Sequence, residues 1–204
     1  MASALMIQHA VFPAPQGLFD DLSRFEEALG MLTKADGHIS SYYGLQVEEE
    51  GSKNGYFISV WESAEHHKKF REDSNSAQVF RSIKQAVAGD HLVRRQFIPI
   101  KGTPFPALES KNTEFVIITP KDGASPEKVK EIALRVRDVW DREGHTAALS
   151  ESAGDDVAFL MLVGWDSTAH HLETVKSEPY ASLVSEFAAV GNFDMSHGNL
   201  KKHV

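Results

Sequence analysis

Cysteine is absent from the 204-residue chain. That removes disulfides, thiolate nucleophiles and Cys-ligated metal sites. No apolar run approaches the ~20 residues that cross a bilayer as a helix, so no membrane partner is expected. Basic residues are in deficit, with 21 Lys and Arg against 29 Asp and Glu, a formal net charge of −8 and a pI near 5.7. Without a basic field to neutralise phosphates, nucleic acid is not an expected partner either. No Gly-rich loop follows a strand to cradle a nucleotide, and no Gly-x-Ser-x-Gly elbow presents a nucleophile. Met1-Ala2-Ser3-Ala4 lacks the basic and apolar regions of a secretory signal, so the expected address is cytoplasmic.

What is present is an ordinary globular composition, 42% hydrophobic and 25% charged. The length suits one domain or two of about 100 residues. A repeat decides between them. Val60-Trp61-Glu62-Ser63-Ala64-Glu65-His66-His67 returns as Gly164-Trp165-Asp166-Ser167-Thr168-Ala169-His170-His171, at a spacing of 104 positions. In each copy an apolar strand ends at the Trp and a helix begins at the Ser, a favoured N-cap residue.

The surrounding pattern repeats as well. Residues 4–12 read as a strand, closed by Pro13 and Pro15. Leu18, Leu22, Phe25, Leu29 and Leu32 then draw one apolar stripe down a helix that stops at Asp36-Gly37-His38. Strands over 39–48 and 56–61 follow, then helices over 64–72 and about 76–87, the second with Val79, Phe80, Ile83 and Val87 inward. A strand runs from about 91 to 98. Residues 102–112, with Pro104 and Pro106, read as a linker. The second copy opens with a strand over 114–119. Ser125-Pro126-Glu127 starts a helix with the stripe Val129, Ile132, Val136 and Val139, which stops at Glu143-Gly144-His145. Strands over 146–151 and 157–163, helices over 168–176 and about 179–190, and a weak strand near 197–203 complete it. Each half is β-α-β-β-α-α-β, the ferredoxin-like split βαβ unit with its second helix broken in two. Helices cover only one face of such a sheet. The expected fold is therefore α+β, two tandem units at 1–101 and 113–204, with their sheets packed face to face as an intramolecular barrel.

This strand order, the Trp-acid-Ser helix start and the paired helices after it resemble the dimeric α/β-barrel superfamily, and within it the antibiotic-biosynthesis-monooxygenase (ABM) domain. The resemblance covers nearly the whole chain twice, as in a fused dimer. It implies a small apolar aromatic or polyketide-like ligand and one of several chemistries: cofactor-free oxygenation, cyclisation, isomerisation or haem degradation. Lys84 and Ala188 stand near the position of the haem-degrading members' axial His, so haem is disfavoured and no cofactor is expected. A stress-associated binding protein on the same fold is the non-catalytic alternative, and a homodimer of the fused barrel is a further expectation.

Helical spacing turns His67 and His171 toward the apolar side. His67 is then a candidate general base, with His9 as second candidate and Tyr42 as hydrogen-bond donor. Trp61, His66, Tyr43 and Phe80 are candidate substrate contacts in the first unit, with Trp165 and His171 in the second. The bland readings are core Trp and core His residues satisfied by backbone carbonyls. Adjacent His diverge by about 100° on a helix, and no His-Glu-x-x-His or His-x-x-x-His pair occurs, so no metal is expected. The first unit is the expected reactive one, because Phe115, Ala147 and Ala148 give the comparable stretches of the other unit fewer polar groups.

Overall fold

A computed structural model describes residues 4–14, 29–74, 76–86 and 91–203, without the side chains of 82, 83, 85 and 86. Leu18, Leu22, Phe25 and Val87 of the expected helices lie outside the described residues, as does the side chain of Ile83. The chain divides into two compact units, one comprising Met1–Gln96 with Lys201–Val204 and the other Phe97–Leu200. No helix among the described residues is long and apolar enough to cross a membrane.

The first unit holds β1 (Met6–Pro13), β2 (His38–Gln46), β3 (Asn54–Trp61), α1 (Ala64–Glu72), α2 (Ser76–Ala86) and the start of β4 (Val93–Lys101). Residues 29–32, at the end of the expected first helix, are helical, and Leu29 and Leu32 are buried. Gly37 takes φ +73° after it, a left-handed turn that suits Gly, and the His66 ring packs against its α-carbon. The strand order is β4-β1-β3-β2.

Register decides which side chains share a face, because residues paired across antiparallel strands point the same way. Met6, Gln8 and Ala10 pair with Trp61, Ser59 and Phe57. Trp61 touches His67 and Phe70 of α1, so this is the helix-covered face. Ile7 and His9 pair with Val60 and Ile58, and Tyr42 pairs with Ile58 from the other side. Those residues occupy the opposite face and are buried there.

The second unit holds the end of β4, α3 (Phe105–Leu108), β5 (Asn112–Pro120), α4 (Pro126–Arg142), β6 (Ala147–Ser152), β7 (Phe159–Trp165), α5 (Thr168–Thr174), α6 (Tyr180–Val190) and β8 (Gly191–His203). Its strand order is β8-β5-β7-β6-β4. Ser125 caps α4, its hydroxyl accepting from Lys128 N at 3.1 Å, and Pro126 supplies a preset φ at the first helical position. Val129, Ile132, Ala133, Val136 and Trp140 then step down one buried face of α4. All seven residues of β7 are buried, which accounts for its unbroken apolar sequence.

Two details differ from the sequence pattern. Residues 105–108 form a helical turn with Ala107 and Leu108 buried, because a first turn tolerates Pro where no intrahelical N–H is needed. The last strand is 13 residues long and pairs with β5 from Gly191 onward. Residues 192–195 are exposed and alternate polar with apolar, so no apolar run announces them.

Candidate functional site

The two Trp-Ser-His segments build corresponding sites with different chemistry. In each, the Ser caps the helix: Ser63 Oγ accepts from His66 N at 3.2 Å and Ser167 Oγ from His170 N at 3.1 Å. The fourth helical residue, His67 or His171, then lies on the inner face and is buried.

In the first unit His67 borders a narrow recess between α1, α2 and the sheet, a cavity of about 40 Å³. Trp61, Phe70, Phe80 and Val79 make it mostly apolar, and Gln8 and Arg94 contribute polar groups. Arg94 sits over the Phe80 ring, 5.7 Å from its centroid. A chain of amides fixes the imidazole. Gln8 Nε2 donates to the Arg95 carbonyl at 3.1 Å, which turns Gln8 Oε1 toward Gln96. Gln96 Nε2 donates to Gln8 Oε1 at 3.4 Å and to His67 Nδ1 at 3.1 Å. His67 Nδ1 is therefore the acceptor and the ring proton sits on Nε2. Burial, helped by the Arg71 and Arg94 charges, lowers the His67 pKa to about 4, so the ring is neutral at pH 7.

The other sequence candidates of this unit do not all converge on the recess. Trp61 and Phe80 line it. Tyr43 pairs with Phe57 on the same sheet face, beyond the lining. His66 turns away into a shallow groove with Lys34, Asp36, Lys69 and Asp73, its Nδ1 2.9 Å from Ser63 Oγ. His9 and Tyr42 occupy the opposite face of the sheet, so they and His67 do not meet in one site. Burial, then the Arg95 charge, lowers the His9 pKa to about 4.

In the second unit aromatic rings pack together beside the matching Trp. Trp140 stacks on Tyr180 at 4.2 Å and meets the edge of Trp165 at 5.1 Å. Beside them lies a polar cluster. Trp165 Nε1 donates to Glu114 Oε2 at 2.7 Å, and Glu114 Oε1 is 3.6 Å from His171 Nε2. His171 Nδ1 and His197 Nε2 are 2.8 Å apart. Glu114, His171 and His197 are all at least 95% buried, with relative exposures of 4%, 3% and 0%. The second unit is thus not the less polar one at this position. Sequence reasoning singled out His171 and Trp165 but missed Glu114 as a partner. The period-2 position of Glu114 among the apolar residues of β5 was the available signal.

The sequence matches no protein-family model and no curated protein. Solved structures match nearly end to end. One is a protein from Fusobacterium nucleatum subsp. nucleatum ATCC 25586, provisionally assigned as a monooxygenase. It is 10% identical, with a TM-score of 0.70 over 100% of this chain and 95% of that one. A second, from Lactobacillus acidophilus NCFM and similarly assigned, is 10% identical, with a TM-score of 0.66 over 97% and 94%. A third, an anthrone oxidase-like protein, is 13% identical, with a TM-score of 0.70 over 98% and 93%. The fold is α+β and is shared with these structures. The matches run over nearly the whole length of both chains.

Proposed function

We propose that the protein is a small-molecule enzyme of the monooxygenase kind, working in the cytoplasm on a flat, apolar, aromatic or polyketide-like substrate. Residues 1–101 and 113–204 act in this reading as two ABM-like domains joined by 102–112. One observation carries it. The first unit's recess combines a Trp61 wall, apolar lining and a single neutral imidazole whose tautomer is fixed from behind.

With its proton on Nε2, His67 offers a hydrogen bond to a substrate phenol or ketone oxygen. A pKa near 4 makes it a weak base, so its part is to stabilise an oxyanion rather than to hold a proton. Once the substrate's acidic proton has passed to solvent water, the electron-rich anion passes an electron to O2. Overall, one oxygen atom of O2 ends on a substrate CH2 carbon as C=O, and the other leaves as water with its two hydrogens. No cofactor is needed in the recess for that balance. The narrowness of the recess and the weak basicity of His67 favour one second reading, a binding protein without turnover.

The test is a series of phenols and anthrone-type ketones, followed by Trp fluorescence and by product analysis with and without O2. Saturable binding, an oxygen-dependent product and about tenfold weaker binding in His67→Ala are expected, near the loss of one hydrogen bond. Binding without product in either atmosphere selects the second reading. No binding overturns both, and binding without product that His67→Ala leaves unchanged also selects the second reading.

A further inference from the structure

We infer that Glu114, His171 and His197 form a binding site for one divalent transition-metal ion of the zinc or ferrous class. The inference is independent of the first unit's recess.

The donor set is the first argument. Two imidazoles and one carboxylate are the ligands that zinc and ferrous ions take, and a three-ligand set leaves positions open for water. One oxygen donor is too few for Ca2+ or Mg2+, which take six or more ligands, nearly all oxygen. One donor atom from each residue lies within 4.8 Å of the other two. Ligands around an ion with ~2.1 Å bonds stand about 3 Å apart, so closure needs side-chain movements of an ångström or two.

The setting is the second argument. The three residues come from three elements, β5, α5 and β8, so the site is assembled by the fold and not by one flexible segment. The Trp165 N–H holds one carboxylate oxygen and leaves the other toward His171. Such outer contacts orient ligands at metal sites. A buried carboxylate beside two imidazoles also favours a compensating positive charge.

The third argument is what the other copy has at the same places. Register sets Gln8 opposite Ser59 in β3 and Glu114 opposite Val163 in β7. Gln96 contacts His67 and Gln8, as His197 contacts His171 and pairs with Glu114. One site is an amide, an amide and an imidazole. Its counterpart replaces both amides by ligand-forming groups. A bound ion takes the place of the proton between the two imidazoles, and that proton moves to the other nitrogen of its ring.

The test uses the full chain, stripped with chelator and dialysed against Zn2+, with metal content measured per folded chain. Wild type is expected to hold one Zn2+ and to gain thermal stability with it. Glu114→Gln/His197→Gln, which copies the first unit's amides, is expected to hold none. His66→Ala and His170→Ala, at the half-buried and exposed first His of each pair, are expected to keep one. A folded wild type without zinc overturns the proposal, as does unchanged stoichiometry in the double variant. If circular dichroism shows that the double variant does not fold, Co2+ in the wild type decides. Intense visible bands of low-coordinate nitrogen and oxygen ligation are expected, and the faint spectrum of hydrated Co2+ overturns the site.

Discussion

His67 and His171 occupy the same turn of the same helix in two copies of one unit, yet they live in different chemistry. His67 stands at the edge of empty space, held by two amides that carry no charge. His171 stands buried between a carboxylate and a second imidazole. The helix start is shared and the strands are not. The repeated Trp-Ser-His segment therefore fixes where an imidazole goes, while its neighbours on the first and last strands set what it does.

The largest effect that separates the copies is expected in packing. Trp140→Ala removes the centre of the second unit's aromatic stack and is expected to cost about 3–5 kcal/mol, read by urea denaturation. Phe70→Ala, beside the recess, is expected to fall below that, because part of its surroundings is already open. Equal costs would mean that the recess closes around its walls and that the contrast is false.

The next effect is acid sensitivity in the first unit. His9, His38 and His67 all have pKa values lowered to about 4 from 6.5, chiefly by burial, with Arg95, His203, and Arg71 with Arg94 as their second causes. Between those pH values the unfolded chain binds more protons than the folded one. Stability is therefore fully present above about pH 6.5 and falls as pH drops toward 4, on the order of a few kcal/mol in total. His9→Gln is expected to flatten that slope, measured by denaturation midpoints across the window. A slope that His9→Gln leaves untouched would move the acid sensitivity elsewhere.

The smallest effect concerns the two Trp N–H groups. Trp61 Nε1 donates to Ser59 Oγ at 2.9 Å, and Trp165 Nε1 to Glu114 Oε2. Trp165→Phe takes a donor from a buried carboxylate and is expected to cost about 1–3 kcal/mol more than its lost volume alone. Trp61→Phe leaves a hydroxyl, a neutral group, and is expected to cost less. Comparing the two by chemical denaturation sharpens the claim that only the second site sets a carboxyl group against its indole.

Much of the fold was legible because it is written in local signals. The Ser caps, the helical stripe of α4 and the turns at Gly37 and Gly144 each depend on a few adjacent residues. The burial of His67 and His171 followed from helical spacing in the same way. The polar partners did not. The Trp and His copies are 104 positions apart, whereas Gln8 and Glu114 are 106 apart and Gln96 and His197 are 101. Loops of different length between the elements shift the phase. A comparison at constant spacing misses both partners, and pairing register restores them.

The small hydroxyl of Ser59 has a consequence for how these copies parted. Val163 holds its place in the other unit and offers the indole nothing. To turn one site into the other, Gln8→Glu, Ser59→Val and Gln96→His must arrive together. Gln8→Glu alone strands an anion beside an indole already engaged, and Ser59→Val alone leaves that indole without its partner. Both of these single steps are handicapped. Once the duplicates had diverged here, drift alone would rarely merge them again.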